Sequence, residues 1–223
     1  MEYRKITVSG IELEYRKWKV LDKIKLDAIE TDQELSAKEK ELKRRLVLVY
    51  DCLKNPAVLD IEQYNYMLSL IRDYSLHNKI EFSFHCDDCG QDFDVNLSSP
   101  EFITCKNENY HDVTVSGKIL SFGNVTDVNY DRDVLFAETR SERYLIDMAY
   151  HLHSIDGTPV KFADAFEFIS NLDVDDFQVL FDSYDEMKFK CILEKELKCP
   201  HCGVSNLYLF DSVKDFFPES WSI

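Results

Sequence analysis

Apolar and polar positions along the chain follow two periods. KITVSGIELEYRKW sets two short strand-like runs around Ser9-Gly10, a turn signal, and predicts an N-terminal hairpin. Helical spacing follows. Ser36 and Glu39 form a capping-box pattern, and Leu42, Leu46, Val49 and Leu53 then fall on one face until Asn55-Pro56 stops the run. A second helix is predicted from Asp60, with Tyr64, Leu68 and Ile71 turned inward. Both stripes read as the core packing of a helical pair.

The period then changes to two. IEFSF runs into Cys86 and QDFDVNL runs out of the CDDCG turn; KFKCILEKEL precedes Cys199 and SNLYLF follows Cys202. Each C-x2-C pair therefore belongs at the tip of a hairpin, with a glycine directly after it, Gly90 or Gly203. Between them, Ser98 to Lys188 is too long for a loop and is expected to carry its own structure. Its first part, CKNENYHDVTVSGKILSFGNVTDVNYD, reads as short strands and turns. A helix is predicted to open at Ser141-Glu142-Arg143-Tyr144, with Leu145, Met148, Leu152 and Ile155 inward, and to close at Gly157. Another helix is predicted in LDVDDFQVLFDSYDEM, capped by Asp173, with Phe177, Leu180, Phe181 and Tyr184 on one face. The acidic residues there read either as a solvated face or as an acidic docking surface.

Cysteine spacing gives these hairpins a chemical meaning. Two thiolates three residues apart reach one ion only if the backbone turns sharply, and a following glycine can take the left-handed conformation that points amides at sulfur. Two such hairpins supply four sulfurs, Cys86, Cys89, Cys199 and Cys202, the donor set of structural Zn2+. All four positions would be filled by protein, so the ion would hold structure and leave no site for a catalytic water. The alternatives are two reduced, unliganded pairs or a redox C-x2-C. The redox motif belongs at a helix N-terminus, whereas strands flank both pairs here. Cys52, Cys105 and Cys191 have no partner at ligand spacing; Cys52, placed on the Leu-rich helix, and Cys191 read as small buried hydrophobes. His85 and His201 read as bystanders to a complete sulfur shell. His151 and His153 point apart on a helix and read as surface or satisfied core residues.

The expected architecture is α+β: a helical pair packed on a split zinc ribbon with a mixed α/β insertion. Its parts are the hairpin and helical pair at 1–78, the ribbon at 79–98 plus 189–212, the insertion at 99–188 and a tail at 213–223.

Composition narrows the function. With 42 acidic against 26 basic residues, the 223-residue chain carries a formal charge of -16, which repels phosphate backbones and argues against nucleic acid as the main partner. KEKELKRR, Lys38 to Arg45, is a basic cluster interrupted by Glu39 and Glu41. The N-terminus lacks an apolar leader core, and no run approaches roughly 18 apolar residues, so a soluble, unexported protein without membrane association is expected. Seven cysteines in that setting favour thiols or metal ligation over a disulfide framework. The chain has no P-loop, G-x-G-x-x-G, H-E-x-x-H or G-x-S-x-G, and Asp87-Asp88 and Asp175-Asp176 read as ordinary surface carboxylates. No enzymatic activity is expected.

The order of features from Asp60 to Pro218 resembles the T4-type bacteriophage baseplate hub subunit and hub-assembly family. The resemblance rests on the LSLIRDYS run (Leu68 to Ser75) before the first knuckle, on Cys86, Cys89, Cys199 and Cys202, on LDVDDFQVLFDSYDEMKF, and on Phe216-Phe217-Pro218. The segment Cys105 to Asp133 departs from it. The resemblance implies a non-enzymatic baseplate component or assembly factor. It would contact other baseplate or tail hub proteins, with an oligomer among the forms it could take, in the cytoplasm of an infected bacterium or in the virion baseplate. Aromatic FFPESW offers interface anchors, or packs on the ribbon. The competing reading is a zinc-ribbon regulator of transcription or polymerase.

Overall fold

The computed structural model describes residues 2–76 and 79–210. The proposed tail at 213–223, with Phe216-Phe217-Pro218 and FFPESW, lies outside the described residues. The fold is α+β, with eight α-helices and several small sheets among the described residues.

The N-terminal hairpin forms as expected. Strands β1 (Arg4–Val8) and β2 (Ile11–Tyr15) pair antiparallel, Val8 opposite Ile11, around Ser9 and Gly10, both at positive φ as a type I′ turn requires. Helix α1 (Val20–Thr31) comes next and was not anticipated. It buries only Asp22 and Leu26, so its apolar spacing is a weak signal. Its start is fixed instead by polar contacts: Asp22 accepts from the Lys19 amide at 2.8 Å and pairs with Arg16 at 2.6 Å.

Helix α2 (Ala37–Leu48) has the expected start. The Ser36 hydroxyl accepts from the Glu39 amide and the Glu39 carboxylate accepts from the Ser36 amide. Its inward face differs from the expected stripe. Leu46 is 47% exposed, the helix stops at Leu48, and Cys52 lies in a short 3-10 turn, Tyr50–Cys52, rather than on the helix. Arg45 takes the buried place because it pairs with Asp131 and lies over the Tyr64 ring at 4.4 Å. The helical pair is likewise divided. Helix α3 (Ile61–Leu76) packs on strand β10 (Lys190–Lys198), whereas α2 packs on α1 and on α5 (Tyr130–Phe136).

Hairpins β3 (Ile80–His85) with β4 (Asp92–Leu97), and β10 with β11 (Ser205–Leu209), present the cysteine pairs at their tips. After β4, the short helix α4 (Ser99–Phe102) leads to β5 (Ile103–Lys106), which pairs with β10 and makes the order β11-β10-β5. A first core gathers Tyr64, Met67, Leu68 and Ile71 of α3 with Phe93, Phe102, Phe189 and Leu197.

Residues 107–189 leave β5 and return to β10. They form a four-stranded sheet, β6 (Val113–Val115), β7 (Lys118–Phe122), β8 (Leu152–Ile155) and β9 (Thr158–Pro159), packed with α6 (Arg140–His151), α7 (Phe162–Ser170) and α8 (Val174–Met187). Their core contains Leu120, Met148, Ile169, Leu180 and Tyr184. Asp173 caps α8 through the Asp176 amide, and Leu180 and Tyr184 face inward, as the sequence predicts. The other predicted helix begins slightly earlier and ends earlier than expected. Thr139, not Ser141, caps α6, and Leu152 and Ile155 belong to β8. Asp156-Gly157, at φ +50° and +74°, is the turn of the β8–β9 hairpin and not a helix stop.

A buried polar network joins the two parts. Asp60 caps α3 through the amides of Glu62 and Gln63 and lies 3.5 Å from His151 Nε2. Asp147 accepts from Tyr130 at 2.6 Å, Tyr184 at 2.8 Å and Lys188 at 3.4 Å, while Tyr184 also meets His151 Nδ1 at 2.9 Å. Burial disfavours the charged imidazole, but contact with Asp60 and the charges of Asp147 and Asp60 hold the His151 pKa above 6.5. Burial also works against the Asp147 carboxylate, but His151, Lys188 and the tyrosine hydroxyls hold its pKa below the ordinary value.

Because His151 binds its proton more tightly when folded, its contribution is fully present below the unfolded pKa and is lost as pH rises through the folded one. Thermal melts from pH 5.5 to 8.5 should show a loss of stability toward high pH that His151→Gln removes; an unchanged slope would place the charge elsewhere. Asp147→Asn should cost about 3–5 kcal/mol by denaturant unfolding, because it strands buried cationic partners.

Candidate metal centre

The four knuckle sulfurs converge although the pairs are more than a hundred residues apart. Cys86 Sγ lies 3.7 Å from Cys202 Sγ, Cys89 Sγ lies 3.8 Å from Cys199 Sγ, and all four lie within 4.8 Å of one another. Thiolates about 2.3 Å from one tetrahedral ion would be roughly 3.8 Å apart. The donor set and its spacing thus fit a metal ion, and the four cysteines are close enough to bind one.

Both turns are built alike. In the first, the Cys86 amide donates to Gln91 C=O and the Gly90 amide to Cys86 C=O; in the second, Cys199 donates to Val204 and Gly203 to Cys199. Gly90 and Gly203 sit at φ +68° and +79°. Nothing lies within 4 Å of a Cβ built on Gly90, so the requirement there is conformational rather than steric. The His201 amide points at Cys199 Sγ at 3.4 Å.

The thiols differ sharply. Desolvation raises Cys199, but the amides of Cys202 and His201 and the adjacent sulfurs bring it down to about 6. At Cys89 the Gln91 amide lowers the pKa, yet desolvation and hydrogen bonding to the other three sulfurs push it up to about 12. Four crowded sulfurs share too few protons and too many lone pairs, a conflict that a divalent cation would resolve by replacing protons.

The histidines stand aside. His85 pairs with Asp92 at 2.7 Å, and His201 Nε2 meets Asp92 C=O at 3.3 Å. His151 is in the buried network and His153, on β8, meets Asn124 C=O at 3.0 Å. Asp88 accepts from Asn206 at 2.9 Å, which ties one knuckle to the other hairpin.

The aromatic support of the centre was not recognised in the sequence. Phe84 meets Tyr208 at 4.6 Å, and Phe210 meets Phe82 at 4.8 Å and Phe102 at 4.7 Å, so rings from both hairpins interleave. Its signal is present in SNLYLF, whose alternation puts Asn206, Tyr208 and Phe210 on one face. Cys105 and Cys191 were also missed as neighbours. Cys191 is buried as expected, but it lies directly opposite Cys105 on the paired strands β10 and β5.

The basic cluster has internal partners. Lys38 reaches Phe136 C=O, Lys40 reaches Glu30 C=O, Arg44 pairs with Glu30 and Glu41, and Arg45 pairs with Asp131. Among the described residues no helix is long and apolar enough to cross a membrane.

Fold and site together define a protein in which four cysteines, capable of sharing one ion, pin two distant hairpins side by side. The chain belongs to the T4 bacteriophage base plate protein family, whose model matches residues 1–218. The match takes in the N-terminal hairpin, α1 and α2 as well as the segment Cys105 to Asp133, so the kinship is wider than the Asp60–Pro218 motifs. No curated protein and no solved structure matches the chain. The chain is accordingly a phage baseplate protein, a structural component of the baseplate.

Gly90→Ala and Gly203→Ala should each lower stability by about 1–2 kcal/mol in urea unfolding, with asparagine at either position costing much less. Equal effects of alanine and asparagine would show that the left-handed turns are not what the knuckles need.

Proposed function

We propose that the protein is a non-enzymatic component of the baseplate hub, or a factor that assembles the hub, acting by contact with other baseplate or tail hub proteins and stabilised by one structural Zn2+ per chain. Membership of the baseplate family across residues 1–218 carries the baseplate part of this reading. The near-tetrahedral spacing of four thiols with no protein group beside them among the described metal-ligating side chains supports zinc in a closed, structural role. Cys86, Cys89, Cys199 and Cys202 would hold it, and the two hairpins would form a split zinc ribbon.

The division into an N-terminal part, a ribbon and an insertion at 99–188 belongs to the same proposal. It is supported by the second core, whose buried members all lie between Val113 and Met187. Contact function is supported by exposed apolar side chains in close sequence: Val20, Leu21 and Ile24 on α1, and Leu207 and Leu209 on β11. Work in the infected cell, followed by retention in or release from the virion, completes the reading. The regulator alternative gains nothing from the basic cluster, in which Lys38, Lys40, Arg44 and Arg45 are turned to acidic and carbonyl partners within the chain.

Metal analysis of the purified protein should find one zinc per chain, lost in Cys86→Ser and in Cys199→Ser alike; a folded, metal-free protein would remove the zinc from this proposal. Because interleaved rings and separate cores also hold the fold together, chelation should lower Tm by roughly 5–15 °C yet leave the helical circular dichroism at 25 °C largely intact. Quantitative mass spectrometry of virions and of infected-cell lysate tests the role. A fixed ratio to tail proteins in virions marks a hub subunit, and presence in lysate alone with incomplete tails on deletion marks an assembly factor. Normal tails without the protein would overturn both.

A further inference from the structure

The insertion has a neck where the chain enters on β5 and leaves on β10. Cys105 and Cys191 face each other there in antiparallel register. The hydrogen-bond pattern fixes what kind of pair they are. Phe210 donates to Leu193 C=O and Cys199 donates to Val204 C=O, so the odd positions of β10 turn their backbone toward β11. Ile192 and Lys190 turn theirs toward β5, and Cys191 does not. Its amide instead donates to Glu62 Oε2 at 3.1 Å. Cys105 and Cys191 thus occupy a non-hydrogen-bonded position, where opposite Cα atoms approach to about 4.5 Å and side chains are closest. That separation is within the range a disulfide spans.

We propose that Cys105 and Cys191 form a reversible redox clasp across the neck of the insertion, closed by exchange with a low-molecular-weight disulfide. Neither residue belongs to the four-sulfur centre, and the inference does not depend on the hub reading.

The two thiols are differentiated for this chemistry. Cys105 is exposed and Cys191 is 9% exposed. Hydrogen bonding from Cys191, and more weakly from Tyr66, stabilises the Cys105 thiolate against desolvation and lowers its pKa; contact with Cys105 and then burial raise that of Cys191. Cys105 is therefore the attacking group and Cys191 the resolving one. The Cys105 thiolate attacks one sulfur of the small disulfide and releases one thiolate, which takes up a proton. Cys191, losing its proton, then displaces the second small thiol from Cys105 and leaves the protein disulfide. Two protein thiols are oxidised and one small disulfide is reduced to two thiols. A cleft of about 530 Å³ lined by Glu62, Lys188, Lys190 and Cys191 reaches the buried partner.

The test treats the purified full-length protein with oxidised glutathione, traps free thiols by alkylation and maps disulfides by mass spectrometry. An intramolecular Cys105–Cys191 peptide that dithiothreitol reverses is expected, with Tm raised on the order of 5 °C because the bond closes a long loop. Cys105→Ser should fold, fail to form it and show no rise; Cys105→Ala serves if serine disturbs the strand. The clasp is overturned if glutathione remains on Cys105 while Cys191 stays alkylatable, if both thiols remain free, or if Cys105 pairs between molecules or with another cysteine.

Discussion

Two turns more than a hundred residues apart bring their four sulfurs within 4.8 Å of one another, and the rest of the architecture is arranged around that meeting. A hairpin at 80–97 and another at 190–209 can meet only if everything between them returns the chain to its starting point. Closing so long a loop costs entropy that grows slowly with length, so a large insertion is tolerated once its two ends are held together. The holding is distributed. Interleaved rings of Phe82, Phe84, Tyr208 and Phe210 bury the backs of the hairpins, Asn206 bridges to Asp88, and the pairing of β5 with β10 fixes the neck. The cysteine cluster is therefore set in a scaffold of interleaved rings, strand pairing and side-chain hydrogen bonds.

The buried network around Asp147 is the second tie, and its chemistry explains its position. Burying a carboxylate, an imidazole and an ammonium group is unfavourable unless each finds partners. Here Asp147 receives two tyrosine hydroxyls and Lys188, and His151 stands between Asp147 and Asp60. Apolar packing between α3 and the insertion would tolerate sliding, whereas these directional bonds accept one arrangement. Across to α3 the network makes the Asp60–His151 ion pair at 3.5 Å, and the Ile61 amide donates to the Tyr130 hydroxyl at 3.2 Å, so the start of α3 is held against α5 and α6.

Much of this was legible in the residues, for physical reasons that differ from place to place. The cysteine centre was readable because its chemistry demands C-x2-C-G in strand context, and the N-terminal turn because Ser9-Gly10 can adopt paired positive φ. Helix α8 was readable because Asp173 and a clean apolar face agree. Helix α1 was not, since it is held by Arg16–Asp22 rather than by a buried stripe. Leu46 misled the reading of α2 because Arg45, paired with Asp131 far along the chain, displaces it from the core. At Asp156-Gly157 two signals competed: apolar spacing prolonged the helix through Leu152 and Ile155, while a strong hairpin turn was written directly after them. Only the case of α2 turned on a distant partner, Asp131, which lies 86 residues from Arg45, and a single sequence does not reveal such partners.

Buried polar contacts lie where elements meet, as in the Arg16–Asp22 pair, the Arg45–Asp131 pair and the network around Asp147. Exposed apolar residues instead lie on outer elements, on the barely buried α1 and on the edge strand β11. An element that contributes little to the core can present its apolar residues outward without weakening the fold, provided something else anchors it. Arg16–Asp22 anchors α1, and the knuckle and the aromatic face anchor β11. Strong internal ties beneath weakly buried outer elements let such a protein keep its shape whether or not those outer apolar side chains are covered.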